Sequence, residues 1–210
     1  MSTTANTTAS AEKPASNKHR ARLTELLDKT SFGFWVYLMT DLVLFASLFA
    51  TYAVLHTHTA GGPDGAEIFK LPDVLAETLL LLTSSFTVGL AMLAIKRGRR
   101  NETLIWLLAT FLLGAAFLVL ELREFSELVN EGYSWRLSAF LSSFFTLVGT
   151  HGAHITAGLL WLAISMGRLL QKGITDHQIR RLTLLSLFWH FLDIVWIFIF
   201  TFVYLMGAAS

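Results

Sequence analysis

The chain has 210 residues, of which 54% are hydrophobic and 13% aromatic, with 15% charged and a mean hydropathy of +0.57. This balance excludes an ordinary soluble domain and allows several membrane-crossing helices in one membrane domain. A net charge of +1 carries no nucleic-acid footprint, and the lack of cysteine excludes disulfides, thiolate metal centres and CxxCH haem attachment.

Residues 1–31 are rich in Ala, Ser, Thr and charge, and lack the apolar stretch of a cleaved signal peptide, so they read as a retained, mobile, solvated tail. The expected membrane domain is 32–210. Its first span, 32–55, is interrupted by Asp41, and the loop that follows contains the turn sequence Gly61-Gly62-Pro63-Asp64-Gly65. The second span, 74–95, carries Glu77 near its start and stops at Lys96-Arg97-Gly98-Arg99-Arg100. The third, 103–122, closes on Glu121, Arg123 and Glu124, and a polar loop is expected over 125–136. The fourth, 140–167, lies in a run free of Asp, Glu, Lys and Arg from Leu137 onward, longer than the roughly 20 residues a crossing needs. The fifth is 182–206. The fold class is thus an all-α integral membrane protein, a five-transmembrane-helix bundle.

Counting Lys and Arg on alternate sides of five spans orients it. The tail, the 96–100 cluster and the segment around Arg168 to Arg181 carry thirteen, whereas the opposite side has Lys70, Arg123 and Arg136. The bias places the N-terminus in the cytoplasm and the C-terminus in the periplasm.

Ionisable groups inside spans are costly, so each is a functional-site candidate with a partner to be named. At roughly 1.5 Å per residue, Asp41, His154, His190 and Asp193 fall at a common depth, with His151 about one turn from His154. Hydrogen-bonded histidine–carboxylate pairs are the expectation. Glu77, Glu121 and Arg123 gather near the outer boundary, where an ion pair accounts for them. Gly149, Ala153 and Ala157 recur every four residues beside His154, a small-residue stripe that lets another helix approach. For all of these polar residues packing competes with chemistry: an interhelical hydrogen bond is a commoner use of a span histidine than a metal or haem ligand, and too few histidines share a depth to build a metal site.

Several stretches together resemble subunit III of the haem–copper respiratory oxidases, in the branch of the cytochrome bo-type ubiquinol oxidases. They are Phe32-Gly-Phe-Trp-Val-Tyr-Leu-Met-Thr-Asp41, Phe49-Ala-Thr-Tyr-Ala-Val-Leu55, Thr59-Ala-Gly-Gly-Pro63, Leu71-Pro with Glu77-Thr, Leu147-Val-Gly-Thr-His-Gly-Ala-His154, Ser186-Leu-Phe-Trp-His-Phe-Leu-Asp-Ile-Val-Trp196 and Val203-Tyr-Leu-Met-Gly207. The resemblance covers nearly everything beyond the tail. Relatives in cytochrome c oxidases typically have seven helices, and this chain looks like the form without the first two; where it has Asp41 they generally carry a glutamate.

The resemblance implies an accessory subunit of a proton-pumping, oxygen-reducing quinol oxidase in a bacterial inner membrane. Such a subunit has no catalytic, cofactor-binding or metal residue of its own. It packs beside subunit I, which holds the haem and copper, contacts the other oxidase subunits, keeps phospholipid in a cleft, and leaves ubiquinol to the complex. The competing readings are a free-standing proton or small-solute carrier using Asp41, His154, His190 and Asp193, and a small histidine metalloenzyme. A carrier usually shows inverted repeats or helices broken at the midplane, and neither pattern is present.

Overall fold

A computed structural model describes the backbone of residues 13–59 and 71–207, with side chains from Lys29 onward. Every regular element in these residues is helical: α1 Lys13–Leu55, α2 Leu71–Lys96, α3 Arg100–Asn130, α4 Ala139–Lys172 and α5 Asp176–Ile199, which continues as a π-helical turn Phe200–Leu205. Each of the five contains a stretch long and apolar enough to cross a membrane, from Lys29–Leu55 in α1 to Asp176–Leu205 at the end of the chain. The five expected spans are all present. The turn expected at Gly61–Gly65 lies outside the described residues, as do residues 1–12 of the expected tail.

Helix ends depart from the span limits, for a physical reason. Hydropathy reports compatibility with lipid, whereas a helix continues until a capping residue or a left-handed glycine ends it. The expected loop at 125–136 is accordingly corrected. α3 runs on through polar residues to Asn130, and the chain turns at Gly132, whose φ is +90°. α1 likewise begins at Lys13, well ahead of residue 32. Gly98 (φ +75°) makes the short α2–α3 turn and Gly173 (φ +69°) ends α4. At the starts of α4 and α5, Ser138 and Thr175 accept hydrogen bonds from the amides of Leu141 (3.1 Å) and Gln178 (3.3 Å).

The chain divides into two compact units, residues 1–41 and 42–210. In the second, α2 packs along α3, α4 lies against both α3 and α5, and α5 returns to α2. One end of this unit is aliphatic: Ala91, Ile95, Leu107, Leu162, Leu169 and Leu182 form a buried cluster. The Arg100 guanidinium closes that end by donating to the Leu169 and Leu170 carbonyls of the α4 C-terminus, at 3.2 and 2.5 Å. Towards the other end lie Phe117, Phe140, Phe144, Trp196 and Tyr204, all essentially inaccessible.

Two indoles fasten α5 to α2. Trp189 and Trp196, seven residues apart on one face of α5, donate to Ser84 Oγ (2.9 Å) and Thr78 Oγ1 (3.0 Å). The order reverses between the two helices, so they run antiparallel. The benzo ring of Trp189 also sits where α3 and α4 have no side chain. A Cβ on Gly114 would lie 2.8 Å from Trp189 Cζ2, and one on Gly158 would lie 3.0 Å from Cζ3. Four helices thus meet at one residue. The close approach of α4 falls on Gly152 and Gly158, while Ala153 and Ala157 of the expected stripe are exposed on the chain's own surface.

Candidate functional site

The polar residues of the spans divide between the two units, Asp41 in the first and the others in the second. Asp41 closes the first compact unit, where its carboxyl is hydrogen-bonded to Tyr37 one helical turn earlier. In the second unit, His151 is wholly buried among aromatic rings. Its imidazole lies 5.2 Å from Trp196, 6.0 Å from Phe117 and 6.3 Å from Phe45 by ring centroids, and neither ring nitrogen has a hydrogen-bond partner among the described residues. His154, half-buried, bonds through Nδ1 to the Thr150 carbonyl of its own helix at 2.8 Å and packs on Phe45. Asp193, 7% exposed, faces the Ser85 hydroxyl of α2 and the imidazole of His190, three residues earlier on α5.

The expectation of histidine–carboxylate pairs thus takes a specific form. His190 and Asp193 come together along one helix face. His154 Nδ1 bonds to the Thr150 carbonyl, and His151 is packed by rings, with no hydrogen-bond partner for its nitrogens among the described residues. Counting residues gives depth along a helix and no information about direction around it.

The outer-boundary ion pair needs a firmer correction. Glu77 and Glu121 are each 2% exposed, whereas Arg123 points outward with 74% of its side chain accessible and binds Glu127 at 3.1 Å. The reason is helical geometry: α3 continues past residue 122, so Arg123 is two residues from Glu121, nearly on the opposite face, and four from Glu127, on its own face. What gathers at this end is acidic. Glu77 and Glu124 are within electrostatic reach of Glu121, and Tyr204 Oη donates to Glu124 Oε2 at 3.1 Å. The Glu121 carboxyl lies over the bare backbone of Gly152, where a Cβ would come within 2.8 Å of Oε1. A cavity of about 290 Å³ opens beside this group, lined by Glu77, Glu124, Arg123 and Glu127 among others.

Glu124, expected only as part of the close of the third span, joins the group, and so does Tyr204, which the sequence does not single out. Tyr204 reaches the group from the π-helical turn, which changes the residue spacing of the last span, and an α-helical count does not anticipate it. Among the described residues no group of three or more His, Asp or Glu side chains is placed to hold a metal ion.

A family model described as cytochrome c oxidase subunit III matches residues 10–208. The cytochrome bo(3) ubiquinol oxidase subunit 3 of Pseudomonas aeruginosa is 61% identical over 85% of this chain and 86% of its own length. The protein of that name from Buchnera aphidicola is 45% identical over 88% and 95% of the two chains. The quinol oxidase subunit 3 of Bacillus subtilis is 47% identical over 85% and 87%.

Proposed function

From the premise that the chain belongs to the cytochrome c oxidase subunit III family, we propose that it is the accessory subunit III of a bacterial proton-pumping ubiquinol oxidase, with no redox centre of its own. The observation that carries this reading is the 61% identity, over most of both chains, to a relative named as subunit 3 of a cytochrome bo(3) ubiquinol oxidase. Haem and copper reside in subunit I, against which this chain packs with the other subunits, and bound phospholipid fills part of its lipid-facing surface. The domain spans the inner membrane five times, from a cytoplasmic N-terminal tail, residues 1–31, to a periplasmic C-terminus, following the distribution of Lys and Arg.

In this role Asp41, His151, His154, His190 and Asp193 hold helices, lipid or neighbouring subunits. Glu77, Glu121 and Arg123 belong to the outer boundary. The packing supports a structural subunit, because His151 is enclosed by rings.

Mild-detergent purification through a tag on this chain tests the function. A haem-bearing large subunit and quinol-driven oxygen consumption are expected in the same fraction, and a chain recovered alone from membranes that contain the oxidase would overturn the assignment.

Asp41→Asn separates support from proton delivery. An amide cannot donate the proton of a carboxyl, yet it keeps nearly the same shape and one acceptor for Tyr37. At equal haem content the variant should keep most of the initial rate and lose activity faster over many turnovers. An initial rate lower by tenfold, a barrier increase of about 1.4 kcal/mol, would place Asp41 in a proton path.

A further inference from the structure

His190 is the span residue whose polar atoms the rest of the chain leaves both reachable and unmatched. It stands near the middle of the 30-residue crossing stretch Asp176–Leu205. Phe188 and Leu192, two residues to either side, are buried, so helical geometry turns His190 to the opposite side of α5, away from the core. The residue is half-buried, its ring makes no hydrogen bond among the described residues, and its nitrogens open onto the surface of the chain. The same face continues as Ile194 and Ile197, which are 55% and 41% exposed. Asp193 and the Ser85 hydroxyl lie beside it, where α5 meets α2.

Lipid cannot match this group. An ionisable side chain turned to hydrocarbon at mid-span is costly, and so is a hydrogen-bonding nitrogen with no partner there. Headgroups are out of reach as well. Half of a hydrocarbon core about 30 Å thick separates the middle of the span from either interface, and an imidazole has no long stem with which to snorkel. The matching group must therefore be carried at the same depth by another helix. Its chemistry follows from Asp193, which already supplies an acidic neighbour to His190. A further charge at this depth would stand uncompensated, whereas a neutral hydroxyl or carboxamide both donates and accepts and satisfies either tautomer of the ring.

We propose that the His190–Ile194–Ile197 face of α5 is the docking face for a transmembrane helix of a neighbouring oxidase subunit, which sets a neutral hydroxyl or carboxamide side chain against the His190 ring. The proposal rests on the assignment of the chain to a multi-subunit oxidase and names a surface by which it joins that assembly. The isoleucines pack against the incoming helix, and the single polar contact fixes its register along α5.

Photocrosslinking in the intact complex tests the face. With benzoylphenylalanine substituted at Ile194, irradiation is expected to join this chain to a membrane segment of another subunit, identified by peptide mass spectrometry. Adducts to phospholipid alone, adducts to a second copy of this chain, or no adduct overturn the proposal. Two substitutions test the contact itself. His190→Gln keeps a donor and an acceptor and should stay in the complex like wild type. His190→Phe keeps a flat ring without hydrogen bonding and should be lost about fivefold more than wild type in a wash with a harsher detergent, the scale of one interhelical hydrogen bond. Retention of the Phe variant like wild type, or equal loss of both variants, overturns the proposal. Should the Phe variant be missing from membranes before solubilisation, the crosslink at Ile194, made with His190 intact, decides. If the chain co-purifies with no other subunit, the oxidase assignment fails first and the docking face with it, which separates the two failures.

Discussion

Gly114→Ala is expected to deplete the assembled complex severely, although it adds a single methyl group and exchanges glycine for the best helix former. The added Cβ would stand 2.8 Å from Trp189 Cζ2 and 2.9 Å from Cη2, inside any tolerable contact. The indole has nowhere to go. Its opposite edge rests on Gly158 and its Nε1 is held by Ser84, so a shift away from α3 drives it into α4 or breaks the bond to α2. Overpacking of this kind costs about 1–3 kcal/mol, against a gain of roughly 0.8–1.0 kcal/mol from replacing a mid-helix glycine. The methyl therefore loses on balance. Gly89→Ala is the control: nothing lies within 4 Å of its added Cβ, so it should be neutral or slightly stabilising. Chain abundance in membranes and thermal half-life in detergent, at equal expression, measure both. Equal behaviour of the two variants would show that Trp189 is not wedged.

The contrast between Gly114 and Gly89 also marks what was legible in the sequence. Both are glycines inside apolar spans, and only tertiary packing distinguishes them. The five spans were legible because a window of about 20 apolar residues is a one-dimensional property. So was the stop of the second span at Lys96-Arg97-Gly98-Arg99-Arg100, read from its charges, whereas the turn at Gly173 was not singled out. The His190–Asp193 proximity was legible from spacing along one helix face. Depth along a helix carries no direction around it, so the shared level of Asp41, His154, His190 and Asp193 left their partners open. For Arg123 the information was present but masked by a span boundary set too early. With α3 extended to Asn130, the spacing to Glu127 identifies the ion pair that forms.

Trp196→Ala should be the most damaging substitution on α5, and comparison with Trp196→Phe should reveal why. The indole is wholly buried, meets Phe117 edge-on at 4.6 Å between centroids, lies 5.2 Å from His151 and 6.1 Å from Tyr204, and donates to Thr78. Truncation removes all of this and leaves a cavity, at about 3–5 kcal/mol. That is a large share of the roughly 5–15 kcal/mol by which folded domains are usually stable. Phenylalanine keeps much of the ring contact and loses the hydrogen bond to Thr78, which in membrane bundles is worth about 0.6 kcal/mol on average and up to about 1.7. Removal of the indole also opens space beside His151, whose unsatisfied nitrogens then become reachable by water. The two variants should therefore rank wild type, Phe, Ala in the abundance of the assembled complex, while turnover per haem in whatever complex forms stays near wild type. A Phe variant as depleted as the Ala variant would mean that the bond to Thr78, and not ring packing, secures α5 on α2. A fall in turnover per haem at normal abundance would contradict the structural role given to this end of the bundle and would point to His151 taking part in the chemistry of the complex.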